Sequence, residues 1–168
     1  MSKGSAVTAR LSPVADVQAT SAGGLVVRGE SFTVETRERV ALVDLTDTVM
    51  THVRQSGVRE GIISLWSMHT TSTLFINESQ KALETDITRF LEETVARDKY
   101  YLHNDPDHSD CDRQNADAHL RALLLGHSMT LQISGGELVL GQWQRVMMAE
   151  LDGPRTRTVR AQVLGVAG

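Results

Sequence analysis

A single cysteine, Cys111, in 168 residues excludes an internal disulfide and points to a reducing compartment. A chain of this length hides roughly 70% of its unfolded surface, so it needs neither a disulfide nor a metal to fold. Cys111 lies between Asp110 and Asp112. Those charges disfavour the thiolate, so it is not read as a nucleophile. Aromatics make up only 4% of the chain, which leaves few platforms for stacked bases. Neither sign of charge dominates: 17 basic residues stand against 21 acidic ones, a net charge of −4. The basic surface that nucleic acid demands is missing. No apolar run approaches the ~20 residues of a membrane span. The opening residues, Met1 to Gln18, lack the apolar core of a secretory signal. No Walker loop, dinucleotide fingerprint, Gly-x-Ser-x-Gly or Cys-x-x-Cys occurs. The expectation is a soluble cytoplasmic protein with no membrane or nucleic-acid partner.

Residues 1–22 are rich in Ser, Ala, Thr and Gly without periodicity and read as a flexible arm. Residues 23–168 read as one domain. Short strands are expected at Leu25–Arg28, Ser31–Glu35 and Val40–Val43, with a polar turn at Thr36–Arg39. Leu45, Val49 and Val53 recur at a spacing of four, which predicts a helix from Asp44 or Thr46 to Ser56, stopped by Gly57. Strands follow at Ile62–Ser67 and Thr73–Ile76. A second helix carries the stripe Leu83, Ile87, Phe90, Leu91 and Val95, with Ser79 as its expected cap. A polar loop over 98–113 leads to a third helix, Asn115–Leu125, whose apolar side is read as Leu120, Leu123 and Leu124. Three strands close the chain: Ser128–Ile133, a long Glu137–Leu151 with a bend near Gly141, and Arg155–Leu164. Gly135-Gly136 and Asp152-Gly153-Pro154 supply the turns.

Chemistry concentrates in two islands, His69–Glu78 and Asn115–Arg155. Of six histidines, His52 reads as a surface or boundary residue of the first helix and His108 as solvated. His69 sits among three hydroxyls at a strand end. Such an imidazole either binds an anion or metal-bound water, or is satisfied by backbone. Asn115 and His119 are four apart and face one way on a helix. His103 supplies a third imidazole, so His69, His103 and His119 form a candidate metal set of the open zinc type. Arg155, Arg157 and Arg160 read either as exposed strand positions or as an anion site. Asp152 reads as a turn residue, and Trp143 as core or subunit contact.

The ordered motifs HTTSTLFINE, Tyr101-Leu102-His103, NADAHL, Gly126-His127-Ser128, the run Gly136 to Gln144 and ELDGPRTR resemble the YjbQ family over about residues 25–165. The resemblance implies an α+β fold: two packed, mostly antiparallel β-sheets with about three helices. It implies a homotrimer and a thiamine-phosphate synthase-like transferase, joining hydroxymethylpyrimidine diphosphate to thiazole phosphate. The family's polar motif residues fall on His69, Thr70, Asn77, Glu78, His103, Asn115, His119, Ser128, Trp143, Gln144, Glu150 and Arg155. From these the expected catalytic residues are His69, Glu78, His119 and Arg155. Thr70, Asn115 and Ser128 are expected to bind the small phosphorylated metabolite or cofactor, with zinc or magnesium as the divalent ion. The alternatives are a non-catalytic trimer that binds metal or metabolite, and a metal-dependent hydrolase. DPDHSDCDRQ, before the third helix, is longer than in compact family members and bears on the mouth of the pocket.

Overall fold

A computed structural model describes residues 9–10, 18–22 and 24–167. Among the described residues, ten strands, three helices and one 3-10 turn follow in chain order: β1 Ala9–Arg10, β2 Gln18–Ala22, β3 Leu25–Glu35, β4 Ala41–Asp44, α1 Thr46–Ser56, β5 Val58–Ser67, β6 Ser72–Asn77, α2 Lys81–Thr94, the 3-10 turn Leu102–Asn104, α3 Ala116–Leu125, β7 Ser128–Ser134, β8 Glu137–Leu138, β9 Arg145–Glu150 and β10 Thr156–Ala167. The large sheet runs β1-β3-β10-β5-β7-β8, with β2 also on β3, and the small sheet runs β4-β9-β6. All their pairings are antiparallel. Of the expected arm, the described pieces Ala9–Arg10 and Gln18–Ala22 pair with β3, and its other residues lie outside the described ones.

Burial explains why each segment takes its form. β10 alternates buried and more open residues, the period of a strand with one face on a core. Phe32, Val34, Ile63, Leu65, Val159, Ala161 and Val163 of the large sheet meet Leu74, Val146 and Met148 of the small one, and α1 adds Val49 and Val53. On the small sheet's other side, Ala149 and Leu151 pack against Leu91 of α2 and Ala118 and Ala122 of α3. Strand β9 is therefore covered on both faces. That is why RVMMAE reads as a nearly unbroken apolar run and not as an alternation.

Several expectations are corrected. Gly29 does not divide β3, which runs unbroken through it. The expected long strand Glu137–Leu151 is two strands in different sheets, separated by a turn in which the Gly141 N–H donates to Gln144 Oε1 and the Gln144 N–H to the Gly141 carbonyl. The cap of α2 is Gln80, whose Oε1 accepts from the Leu83 N–H at 2.8 Å, while Ser79 turns to Glu84. Helix α3 buries Ala116, Ala118, Arg121 and Ala122 and leaves Leu120, Leu123 and Leu124 outside. His52 is buried, stacked on Phe32 and hydrogen-bonded to Glu30.

The chain crosses between the sheets three times at one end of the sandwich: 36–40 from β3 to β4, 68–71 from β5 to β6, and 151–155 from β9 to β10. The registers make these crossings neighbours. Glu35 faces Thr156, Val159 faces Ser67, and Glu150 lies between Ala41 and Ser72. Backbone leaving a ladder needs new partners. The polar residues of this chain supply them at that end.

Candidate functional site

Asp152 is the centre of the crossing end. It is buried, and its carboxylate accepts from Arg39 Nη1 (3.0 Å), Arg113 Nε (3.1 Å), Arg155 Nη2 (3.0 Å) and Asn115 Nδ2 (2.9 Å). Burial alone would raise its pKa. The hydrogen bonds from Asn115 and Arg155 and the charges of Arg113 and Arg39 outweigh burial and hold it below the usual carboxylate value. Beside it Glu150, also buried, takes a two-pronged bond from Arg157 and accepts from the Asp152 N–H at 2.8 Å. Arg157 reaches on to Thr71 Oγ1 at 2.9 Å. Thr36 Oγ1 lies 3.2 Å from Glu150 and accepts from the Arg155 N–H. Arg39 also reaches Asp117 at 3.1 Å, and Asp117 meets Arg121 at 3.5 Å. Gly153 is required here, because a Cβ would lie 2.1 Å from the Glu38 carbonyl oxygen.

Five guanidinium groups (Arg39, Arg113, Arg121, Arg155, Arg157) thus share three carboxylates (Asp117, Glu150, Asp152). The group carries excess positive charge. Arg113 and Arg155 are its open members, with side chains 51% and 30% exposed.

The imidazoles stand around this group. His103 and His119 meet edge to face, with ring centres 5.0 Å apart. The Asp152 carboxylate can only accept, so it turns the Asn115 amide nitrogen toward itself and leaves Oδ1 facing His103 Nε2 at 3.3 Å. His103 therefore carries its hydrogen on Nε2. The pKa of His119 is lowered by burial first and by His103 next, against the pull of Asp152 and Asp117. The pKa of His69 is lowered by burial and then by Arg157, with Arg155 adding to the effect. His69 Nε2 accepts from the Thr158 N–H at 2.8 Å.

The expected residues divide as follows. His103, His119, Asn115, Glu150 and Arg155 come together, and His69 borders the same charges. Thr70 is exposed, and its neighbour Thr71 makes the contact with Arg157. Asn77 and Glu78 lie at the opposite end of β6, about 20 Å along the strand from Ser72. Ser128 pairs with Trp66 and is exposed, without a contact to the Asp152 group. Among the described residues no three His, Cys, Asp or Glu side chains are placed to hold a metal ion, so His69, His103 and His119 do not fit a shared zinc. Arg39, Asp117 and Arg121 escaped sequence reasoning, Arg39 because it looked like a turn residue. Of the two readings of Arg157, the exposed strand position is corrected, since the side chain is buried against Glu150. The one available signal was the density of Asp and Arg around Gly153-Pro154. A separate cleft of about 340 Å³ lies between α1 and residues 138–145. Arg54 on its wall is paired with Glu137, and no imidazole lines it.

No helix among the described residues is long and apolar enough to cross a membrane. Residues 30–166 match the family described as UPF0047 protein YjbQ-like. A UPF0047 protein of Methanothermobacter thermautotrophicus is 44% identical over 136 residues, 81% of this chain and 91% of the relative. One from Archaeoglobus fulgidus is 42% identical, over 79% of this chain and 98% of the relative. A YbjQ-like protein of unknown function from Sulfolobus solfataricus P2 superposes with a TM-score of 0.78 at 34% identity, over 84% of this chain and 99% of the other. These likenesses span both sheets and all three helices, and the chain belongs to the UPF0047 YjbQ-like family.

Proposed function

We propose that the crossing end of the sandwich binds a small phosphorylated metabolite and carries out group transfer on it. One observation supports this above the others: two touching imidazoles, His103 and His119, stand beside a cluster with more guanidinium than carboxylate charge. Fixed positive charge favours a leaving phosphate, and imidazoles move protons near neutral pH. The specific reaction we infer is thiamine-phosphate synthesis. The thiazole nitrogen attacks the pyrimidine methylene, a C–N bond forms, the C–O bond breaks, and the electron pair leaves on diphosphate. Arg155 and Arg113 would meet that diphosphate, and His119 would hydrogen-bond it. No step is assigned to a metal.

Purified protein should form thiamine phosphate from the two substrates. His119→Ala should lower the rate by about 100-fold or more. His108→Ala, in the exposed loop, should leave it unchanged. Absence of product from the unsubstituted protein, with magnesium or with zinc, would end the transferase reading. Binding without turnover would then stand, a reading favoured by Asp152, which already engages three of the arginines.

We also infer that the chain works as a homotrimer. Leu123 and Trp143 are 70% and 65% exposed, and Phe90, Leu124 and Trp66 are more than half exposed. Open apolar side chains of this size offer surface for a partner chain to cover. Sedimentation should show three chains of 18.4 kDa together, and a monomer at working concentration would overturn this.

A further inference from the structure

Resting on the anion-site reading above, we propose that His69 is a fixed, neutral hydrogen-bond donor to a substrate oxyanion and not a metal ligand. The Thr158 N–H points at its Nε2 from 2.8 Å. A backbone amide only donates, so Nε2 presents its lone pair and Nδ1 carries the ring hydrogen. The lone pair that a metal would need is already engaged. The amide cannot turn away, because Thr158 lies in β10 and its carbonyl accepts from the Met68 N–H at 3.1 Å. Both polar backbone groups of Thr158 thus grip the segment that carries the ring. A second proton on Nε2 would set one N–H against another.

The Nδ1–H makes no hydrogen bond to any described residue. The charges around the ring are those of Arg157, Glu150 and Arg155. Arg157 and Glu150 satisfy each other, whereas Arg155 is part-exposed. An N–H without a partner, within the field of a part-exposed guanidinium, offers donors only, and donors of this kind fit the oxygens of phosphate or diphosphate. His103 is wired the other way. Asn115 holds its hydrogen on Nε2, which leaves the Nδ1 lone pair. The two rings therefore take opposite parts: His69 gives a hydrogen bond and His103 can accept one.

The test uses the full-length protein with 15N-labelled histidine, at about pH 7.5, where neutral imidazole dominates. Long-range proton–nitrogen spectra should show His69 protonated on Nδ1 and bare on Nε2. Inorganic phosphate should shift its Nδ1 resonance, and zinc alone should leave both its nitrogens in place. His69→Gln can accept from Thr158 and donate outward, so it should keep phosphate affinity within about threefold. His69→Ala should weaken it about tenfold, on the order of 1.4 kcal/mol. An Nε2–H form, no response to phosphate, a zinc shift at His69, or a Gln variant as weak as Ala would each overturn the proposal. None of these readouts uses turnover. A protein that makes no thiamine phosphate yet gives the expected spectra loses the transferase reading and keeps this one.

Discussion

Asp152 shows how much one side chain can organise. Three guanidinium groups and an amide bond to it, and its own N–H is tied to Glu150. Replacing Asp152 with Asn leaves Arg39, Arg113 and Arg155 without their shared counter-charge in a buried place. The expected cost is about 3–5 kcal/mol, read from urea unfolding. Asp110→Asn, an exposed carboxylate on the loop, should shift stability by only about 0.5 kcal/mol. Protonation gives a second residue-scale prediction. The folded state holds the pKa of His69 and His119 below the ordinary imidazole value of 6.5. Above pH 6.5 the two rings are neutral in both folded and unfolded chains, and their contribution to stability is full and flat. As the pH falls below that value the unfolded chain takes up protons that the folded chain resists, so stability drops until the folded pKa values are passed. Asp152 adds a further loss as the pH falls below its unfolded value of 3.8, since its folded pKa is depressed. Unfolding free energy should slope upward with pH below about pH 6.5 and level off above it. His119→Gln should remove part of the slope, and an unchanged slope in that variant would contradict the assignment.

At the scale of elements, ends and connections decide more than middles. The stripe of α2 correctly announces a helix, but its cap is Gln80 and not the Ser79 that the sequence favours. Gln80→Ala should destabilise the protein by about 1 kcal/mol, and Ser79→Ala should cost only a few tenths, both by thermal melts. The stripe overstates burial: of its residues only Leu91 is fully covered, while Phe90 is 60% exposed. Helix α3 misleads in the opposite sense. Its three leucines are the obvious apolar side, yet the small sheet accepts the alanine side. Small residues let the helix approach Ala149 and Leu151 closely, and Arg121 can then reach the Val95 carbonyl at 2.9 Å. The break between β8 and β9 was readable as a bend near Gly141 and not as a change of sheet. A strand's sequence records its own two faces and carries no mark of which sheet it joins.

Over the whole molecule, the site and the core depend on the same packing. Met148 is fully buried between the sheets, two residues before Glu150 on the same face of β9. Met148→Ala should cost about 2–5 kcal/mol in urea unfolding. Because one transition is expected for a unit of this size, the His103 and His119 ring signals should vanish together with the far-ultraviolet helix signal. Ring signals lost at a lower urea concentration would show the crossing end to be independently mobile.

Periodicity and turn chemistry determined the local events: three helices, the Gly57 stop and the Gly135-Gly136 hairpin with φ of 63° and 84°; the motif run marked the family, and through that resemblance the α+β fold. These are readable because they depend on neighbours within a few residues. The placement of Asn115 and His103 beside Asp152, the loss of Glu78 and Ser128 from that group, and the burial of Arg157 were decided only when three crossings met at one end. Those contacts join residues up to 119 positions apart, as in Thr36 with Arg155. The interactions that set them, ion pairs and hydrogen bonds shielded from water, acquire their strength only after the sheets have excluded it.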